Sequence, residues 1–236
     1  MSWVKSKIKT DKKGFSFEAE HRSDVLPSEL SKVLTARADF KFGVTPRGVV
    51  HTIVVGGKPI KVAVRPLDSF RGFFYFHALK DCHDKEMDVV DTPIALVTSK
   101  HGRVSHLITE WREGAVNLKE YFANNSVSLD RRLEIARLAM KEVAKLHSRG
   151  YFHGHPHLGN FVTYPQASEV KVHMVDPTML NTSFKNVNGY DHFSEAVIAA
   201  IGFIQNLRGL KKFDNVPADD PLFNDLLHAY LVQLHG

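Results

Sequence analysis

Residues 153–160 read HGHPHLGN. Three histidines stand at alternate positions, after a long helical run and before a glycine and an asparagine. Three chemistries fit such a string. Alternate histidines project from one side of an extended strand and suit a transition metal. A glycine and a proline among them suit a tight turn. The same residues also suit a loop that carries catalytic groups on a scaffold of helix and strand. Against the metal chelate stand Pro156 inside the run, a lack of supporting cysteines and the absence of an HExxH spacing.

What lies downstream favours the third chemistry. The segment KVHMVD, residues 171–176, reads as a short strand ending in an acid. Asn160 offers an amide oxygen and Asp176 a carboxylate. A pair of hard oxygen donors suits Mg²⁺, which keeps its remaining positions for water and phosphate. Phosphoryl transfer needs such a metal, because it offsets the charge on the phosphate oxygens. Alone, Asp176 would read as the acid of an Asp-Pro turn. Paired with the preceding loop, it reads as a site residue.

The whole chain sets the frame. It has 236 residues, 43% hydrophobic and 24% charged, which is ordinary for a globular protein. No run reaches the roughly 18 apolar residues of a membrane helix. The start, MSWVKSKIKTDKKGF, lacks the apolar stretch of a secretory signal. Cys82 is the sole cysteine, so no internal disulfide can form and a cytoplasmic setting is expected. Cys82 itself reads as a packed thiol. The net charge of +5 favours anionic partners. Lys5, Lys7, Lys9, Lys12 and Lys13 read as a solvated tail, with docking on an anionic membrane surface as the sharper alternative. No recognition motif supports nucleic-acid binding, and none is expected.

The first half is β-rich. VVHTIVV (49–55) and PIKVAVRP (59–66) flank a glycine pair and predict a hairpin. FRGFFYFHALKDC (70–82) predicts a helix with Phe70, Phe73, Phe74 and Phe76 packed as core. The stretch DTPIALVTSKHGRVSHLITEW predicts a second hairpin. The second half is helical. NLKEYFA (117–123) is a short helix. Residues 129–150 hold Leu133, Ile135, Ala136, Leu138, Ala139, Val143 and Leu146 at helical spacing, with Ser128 or Asp130 to cap and Gly150 to end. Two closing helices follow, over DHFSEAVIAAIGFIQNLRGL and PLFNDLLHAYLVQLH.

AKLHSRGYFHGHPHLGNFV resembles the catalytic loop of protein-kinase-like folds, in the form typical of small-molecule and lipopolysaccharide core (Kdo and heptose) kinases. HMVDP resembles the metal-binding acid that follows that loop. LITEWREG resembles the hinge, and KVAVRP the strand that carries the ATP-contacting lysine. The resemblance covers roughly residues 40–200. It implies an α+β, bilobal kinase-like fold, with a small β-rich N-lobe over 1–110 and a helical C-lobe over 111–236. It also implies ATP and Mg²⁺ as cofactors, with nucleotide between the lobes. The acceptor would be a sugar, a lipid-linked sugar or a protein partner, in the cytoplasm or at the inner membrane surface. Carried over by position, Asn160 and Asp176 hold metal, His153 takes the structural histidine place, and the backbone of Glu110, Trp111 and Arg112 meets the adenine. Asp191, in the Tyr190-Asp191-His192 run, would buttress the loop.

Departures from the pattern matter. His155 stands where the family has its catalytic aspartate. Arg65 stands where it has the strand lysine, with Lys61 four residues before it. No glutamate lies in 70–82 to pair with that cation, and Asp81 and Asp84 are poor substitutes. Glycine is sparse in the segment that would cover the phosphates, where only Gly43 and Gly48 are available. A neutral imidazole at 155 can accept a hydrogen bond from an acceptor hydroxyl, whereas a protonated one would donate and repel Mg²⁺. Arg65 keeps a positive charge in a different, forked shape. Two functions follow: a phosphotransferase, or a pseudokinase that regulates a partner through its surface.

Overall fold

The computed structural model describes residues 2–9, 16–35, 49–88, 90–99, 104–166, 169–175, 191–211 and 214–236. The chain forms two compact units. One comprises Met1–Glu86 with Thr92–Glu113, the other Met87–Asp91 with Gly114–Gly236.

The first unit is built on a six-stranded antiparallel sheet. In chain order its strands are β1 (Trp3–Lys9), β2 (Ser16–Arg22), β3 (Val49–Val55), β4 (Lys58–Asp68), β5 (Pro93–Ser99) and β6 (Val104–Glu110), and in space they run β1-β2-β5-β6-β4-β3. The β3–β4 hairpin turns where the sequence predicts. Gly56 and Gly57 have φ of 57° and 79°, the left-handed pair that a two-residue type I′ turn needs. Alternation along β4 buries Val62 and Val64 and leaves Lys61, Ala63 and Arg65 on the opposite face.

Helix α1 (Pro27–Thr35) packs Leu30, Val33 and Leu34 into the core formed by Ile8, Ile53, Val62, Val64, Ile94 and Ile108. It touches both ends of the strand order. Ser31 donates its hydroxyl to the carbonyl of Lys9 at 2.8 Å, and Glu29 accepts the Val54 amide at 3.0 Å. The basic N-terminus is therefore no tail: Lys5, Lys7 and Lys9 sit on β1, paired residue for residue with β2. Their spacing of two was the available signal, since it is the period of a strand. Lys12 and Lys13 lie outside the described residues.

Helix α2 (Ser69–Asp84) packs on β4, β5 and β6. Asp68 caps it by accepting the Arg71 amide at 2.9 Å. Gly72 permits the close approach, since a Cβ there would lie 2.7 Å from the Cβ of Ser105. Phe76, Leu79 and Cys82 are buried. Burial pushes the Cys82 thiol up to about 12, which leaves it a packed apolar group rather than a nucleophile. The aromatic run corrects the expectation of four core phenylalanines. Phe76 is fully buried, but Phe70, Phe73 and Phe74 are 74%, 53% and 48% exposed. They stack on one another along the outer side of α2, with Phe70 and Phe74 centroids 4.6 Å apart. Apolar side chains stand on both the inner and the outer side of the helix, so its periodicity could not separate the two.

The second unit is arranged around α4 (Leu129–Ser148), which packs on α5 (His192–Leu207), on α6 (Pro221–His235) and on β9 (Glu169–Met174). Ser128 caps α4 through the Arg131 amide at 3.2 Å, and Gly150, at φ 81°, ends it. Short helix α3 (Leu118–Ala123) is capped by Asn117. A small sheet, ordered β7-β8-β9, comprises β7 (Val116–Asn117), β8 (Phe161–Gln166) and β9. No helix among the described residues is long and apolar enough to cross a membrane.

The two kinds of phenylalanine on α2 make a contrast that can be measured. Phe76→Ala should lower unfolding stability by about 3–5 kcal/mol, the cost of emptying a full aromatic site. Phe70→Ser should change it by less than about 0.5 kcal/mol, as at an ordinary surface position. Urea denaturation of the two variants provides the check. Equal losses would contradict the assigned faces.

Candidate functional site

The loop between α4 and β8 is held from beneath by one carboxylate. Glu195, on α5, is fully buried. Its Oε1 accepts the His153 amide at 2.7 Å and its Oε2 the Gly154 amide at 2.8 Å. His147, near the end of α4, bonds Oε1 through Nε2 at 3.1 Å and the Tyr230 hydroxyl through Nδ1 at 2.9 Å. Burial by itself would push the Glu195 carboxyl up. The His147 bond and charge and the two amides outweigh it, so the group sits below the ordinary value of 4.5. Burial beside that negative charge pushes the Tyr230 phenol up to about 12.

This corrects the expected buttress. Asp191 caps α5, accepting the Ser194 amide at 2.7 Å and the Ser194 hydroxyl at 2.8 Å. Glu195, one turn on, takes the supporting position. A lone acid followed by Ala196, Ala199, Ala200 and Phe203 was the signal in the sequence, because such a charge on an apolar helix face must find a partner.

From this anchor the loop builds outward. His153 is buried, and its Nε2 lies 3.1 Å from the Val175 carbonyl while its Nδ1 receives the His155 amide at 3.4 Å. Both bonds require the tautomer with the proton on Nε2. With both ring nitrogens committed, His153 cannot join a three-histidine chelate. His155 is exposed, and its ring meets the edge of His157 at 4.3 Å between centroids. Nδ1 of His157 accepts the Gly159 amide at 2.9 Å. Glycine at 159 lets the ring stay there, since a Cβ would lie 2.7 Å from the His157 ring and would displace it.

Asn160 closes the 3-10 turn Leu158–Asn160 and is buried. Its side-chain Nδ2 donates to the His155 carbonyl at 2.9 Å, which leaves Oδ1 as the acceptor of that side chain. Its main-chain carbonyl accepts the Val175 amide at 2.8 Å. Val175 is thus tied on both sides, through its N–H to Asn160 and through its carbonyl to His153. Asp176 is the next residue in the chain and lies outside the described residues. So do Gly43 and Gly48.

The other expected site residues belong to the first unit. Arg65 is half-buried on β4, opposite Leu107 of β6 in register. Lys61 shares its face about 13 Å along the strand, and its Nζ bonds Glu113 at 2.8 Å in an exposed ion pair. Asp81 pairs with Lys85 at 2.8 Å, one turn along α2. Glu110 ends β6, and its amide is bonded to the Thr92 carbonyl at 2.9 Å. The Trp111 amide is bonded to the Lys61 carbonyl at 2.9 Å. Neither N–H can donate to an adenine ring, so what these two residues can offer a base is a carbonyl. Arg112 follows, half-buried.

The kinase domain of PknI from Mycobacterium tuberculosis matches with a TM-score of 0.52 at 14% identity, over 80% of this chain and 85% of that one. The BubR1 kinase domain matches with a TM-score of 0.53 at 13% identity, over 97% of this chain and 81% of that one. The fold is protein-kinase-like. A third match, Rad53 in complex with AMP-PNP, has a TM-score of 0.50 at 14% identity and covers 82% of this chain and 56% of that one. No family model and no curated protein matches the chain by sequence.

If Glu195 organises the loop, Glu195→Ala should cost about 3–5 kcal/mol, because two buried amides and a histidine lose their partner. Acid should reveal the same linkage. A carboxyl held below its ordinary value contributes stability that is complete above pH 4.5 and is lost as pH falls through the lower folded value. Thermal midpoints followed across acid pH should therefore fall more steeply for the native chain than for Glu195→Gln. Parallel curves would remove the carboxylate from this role.

Proposed function

We propose that the chain is an ATP- and Mg²⁺-dependent phosphotransferase of the kinase-like type. It would move the terminal phosphoryl group of the nucleotide to a hydroxyl of a sugar, a lipid-linked sugar or a comparable acceptor, as in the lipopolysaccharide kinases that its loop resembles. One observation carries the reading: the Asn160 side-chain amide is oriented by the His155 carbonyl, while the Asn160 main-chain carbonyl and the His153 imidazole grip Val175, the residue before Asp176. An asparagine oxygen and an aspartate carboxylate make a donor set that suits Mg²⁺.

In this reading Asn160 and Asp176 hold the metal, which when bound offsets the charge of the phosphates. The residues of the chain do the rest. Neutral His155 accepts the hydrogen bond of the acceptor hydroxyl and orients it. Arg65 supplies the cation for phosphate, with the forked geometry of a guanidinium. Carbonyls in the Glu110–Arg112 segment meet the base. The loop backbone is fixed by Glu195 before any ligand arrives, and positioning of that kind supplies much of the catalysis of a loose phosphoryl-transfer transition state. A net charge of +5 suits both nucleotide and an anionic membrane surface that presents a lipid-linked acceptor.

A second reading rests on Arg65, on the absence of glutamate in α2 and on the engagement of Asp81 with Lys85. These features suit a pseudokinase that binds a partner and transfers nothing.

Isothermal titration with a non-hydrolysable ATP analogue and Mg²⁺ tests the first reading. Binding should need the metal, and Asn160→Ala should weaken it about tenfold or more, as loss of a ligand-positioning group does. Silence with nucleotide, together with no phosphate release from ATP, rejects the proposal. His155→Asp separates the two readings. Transfer by the native chain supports the enzyme, and transfer that emerges only in the variant supports the pseudokinase.

A further inference from the structure

The first unit holds an open pocket of about 680 Å³ where β1 meets α1, with Ile8 and Pro27 as its apolar lining and Lys7, Lys9, Lys32, Ser28, Ser31 and Thr35 as its polar one. That size falls within the range of small-molecule sites. None of these residues belongs to the loop, the hinge-like segment or the strand face of Arg65.

The lining is chemically divided. Three lysines supply positive charge. Lys32 is paired with Glu29, whose second oxygen is taken by the Val54 amide. Glu18 faces Lys7 across the ladder, yet among the described residues no carboxylate lies within ion-pair distance of Lys7 or Lys9. Among the described residues, Lys7 and Lys9 therefore present their charge to the pocket without an ion-pair partner. The hydroxyls present the other half. Ser31 spends its proton on the Lys9 carbonyl at 2.8 Å, and Thr35 spends its own on the Ser31 carbonyl at 2.9 Å. Each hydroxyl oxygen then faces a ligand only as an acceptor. Such acceptors disfavour a bare anion and favour a ligand that brings donors of its own.

We propose that this cavity binds the phosphate ester of a polyol: lysines meet the phosphate, and Ser31 and Thr35 accept from the ligand hydroxyls. Two sources offer this chemistry, a soluble sugar or glycerol phosphate and the headgroup of a glycerophospholipid. The proposal is independent of the catalytic reading, since it uses neither the loop nor a nucleotide.

The test uses the full chain and the variant Lys7→Gln/Lys9→Gln, in which both positions are exposed and the fold should be kept. In the soluble arm, glycerol 3-phosphate and glucose 6-phosphate are titrated while amide NMR shifts are followed. Saturable shifts should concentrate on Ser28–Thr35, exceed those given by inorganic phosphate at equal concentration, and weaken about tenfold or more in the variant, as expected for two lysines beside an anion. In the lipid arm, co-sedimentation should occur with vesicles containing phosphatidylglycerol, fail with phosphatidylcholine alone, and show the same loss in the variant. A response in one arm identifies the source. Binding by neither, or binding that the variant retains, overturns the proposal. So does a variant that loses only solubility, because the lysines would then serve merely to keep an edge strand from aggregating. Ser28→Ala, with the same readouts and both lysines intact, should keep the shifts within α1. Shifts that move to the second unit would also overturn the assignment.

Discussion

One buried carboxylate organises the second unit. Glu195 gathers two successive amides from a loop that has no regular structure of its own, and it meets the end of α4 through His147. Buried backbone donors demand partners. Here both come from a single side chain, so the position of the loop is set by the packing of α5 against α4. The shape of the loop then follows link by link: His153 orients to Val175, Asn160 to His155, and Val175 to Asn160. Removing the anchor would leave the rest satisfied only among themselves.

The first unit follows a different logic. Its stability comes from an apolar layer of alternating strand residues closed by α1 on one face and α2 on the other. Polar contacts there are mostly at the surface, where an ion pair such as Lys61–Glu113 contributes little. Specific chemistry is concentrated in the loop of the second unit, and shape in the sheet of the first.

Much of this was legible in the residues. The glycine pair 56–57, the capping serine at 128 and the helical spacing of 129–150 each state a local rule that tertiary packing did not override. The loop meets the chain just after β9 at Val175, while Asp176, the second oxygen donor the sequence offers, lies outside the described residues. What escaped had two physical causes. Where large apolar residues stand on both faces of an element, as on α2, sequence period does not say which face is inward. Where a group acts through distant backbone, as Glu195 does, no local pattern states its partners. Asp191 offered the stronger local signal and took only the local role of a cap. The strand β1 was hidden by its charge, because alternation of lysines reads as solubility before it reads as pleat. Helix α1 carries a proline start but is too short for its periodicity to stand out.

The position of α1 has a consequence for how molecules of this protein can meet. A sheet with two open edges invites a foreign strand to extend it, and exposed edges are the usual entry to domain exchange and fibre growth. In this chain the terminal strands β1 and β3 are both bonded to the same short helix, by Ser31 at one and Glu29 at the other. An incoming strand that sought the Lys9 carbonyl or the Val54 amide would have to displace α1 first. At those two places the helix competes with strand extension.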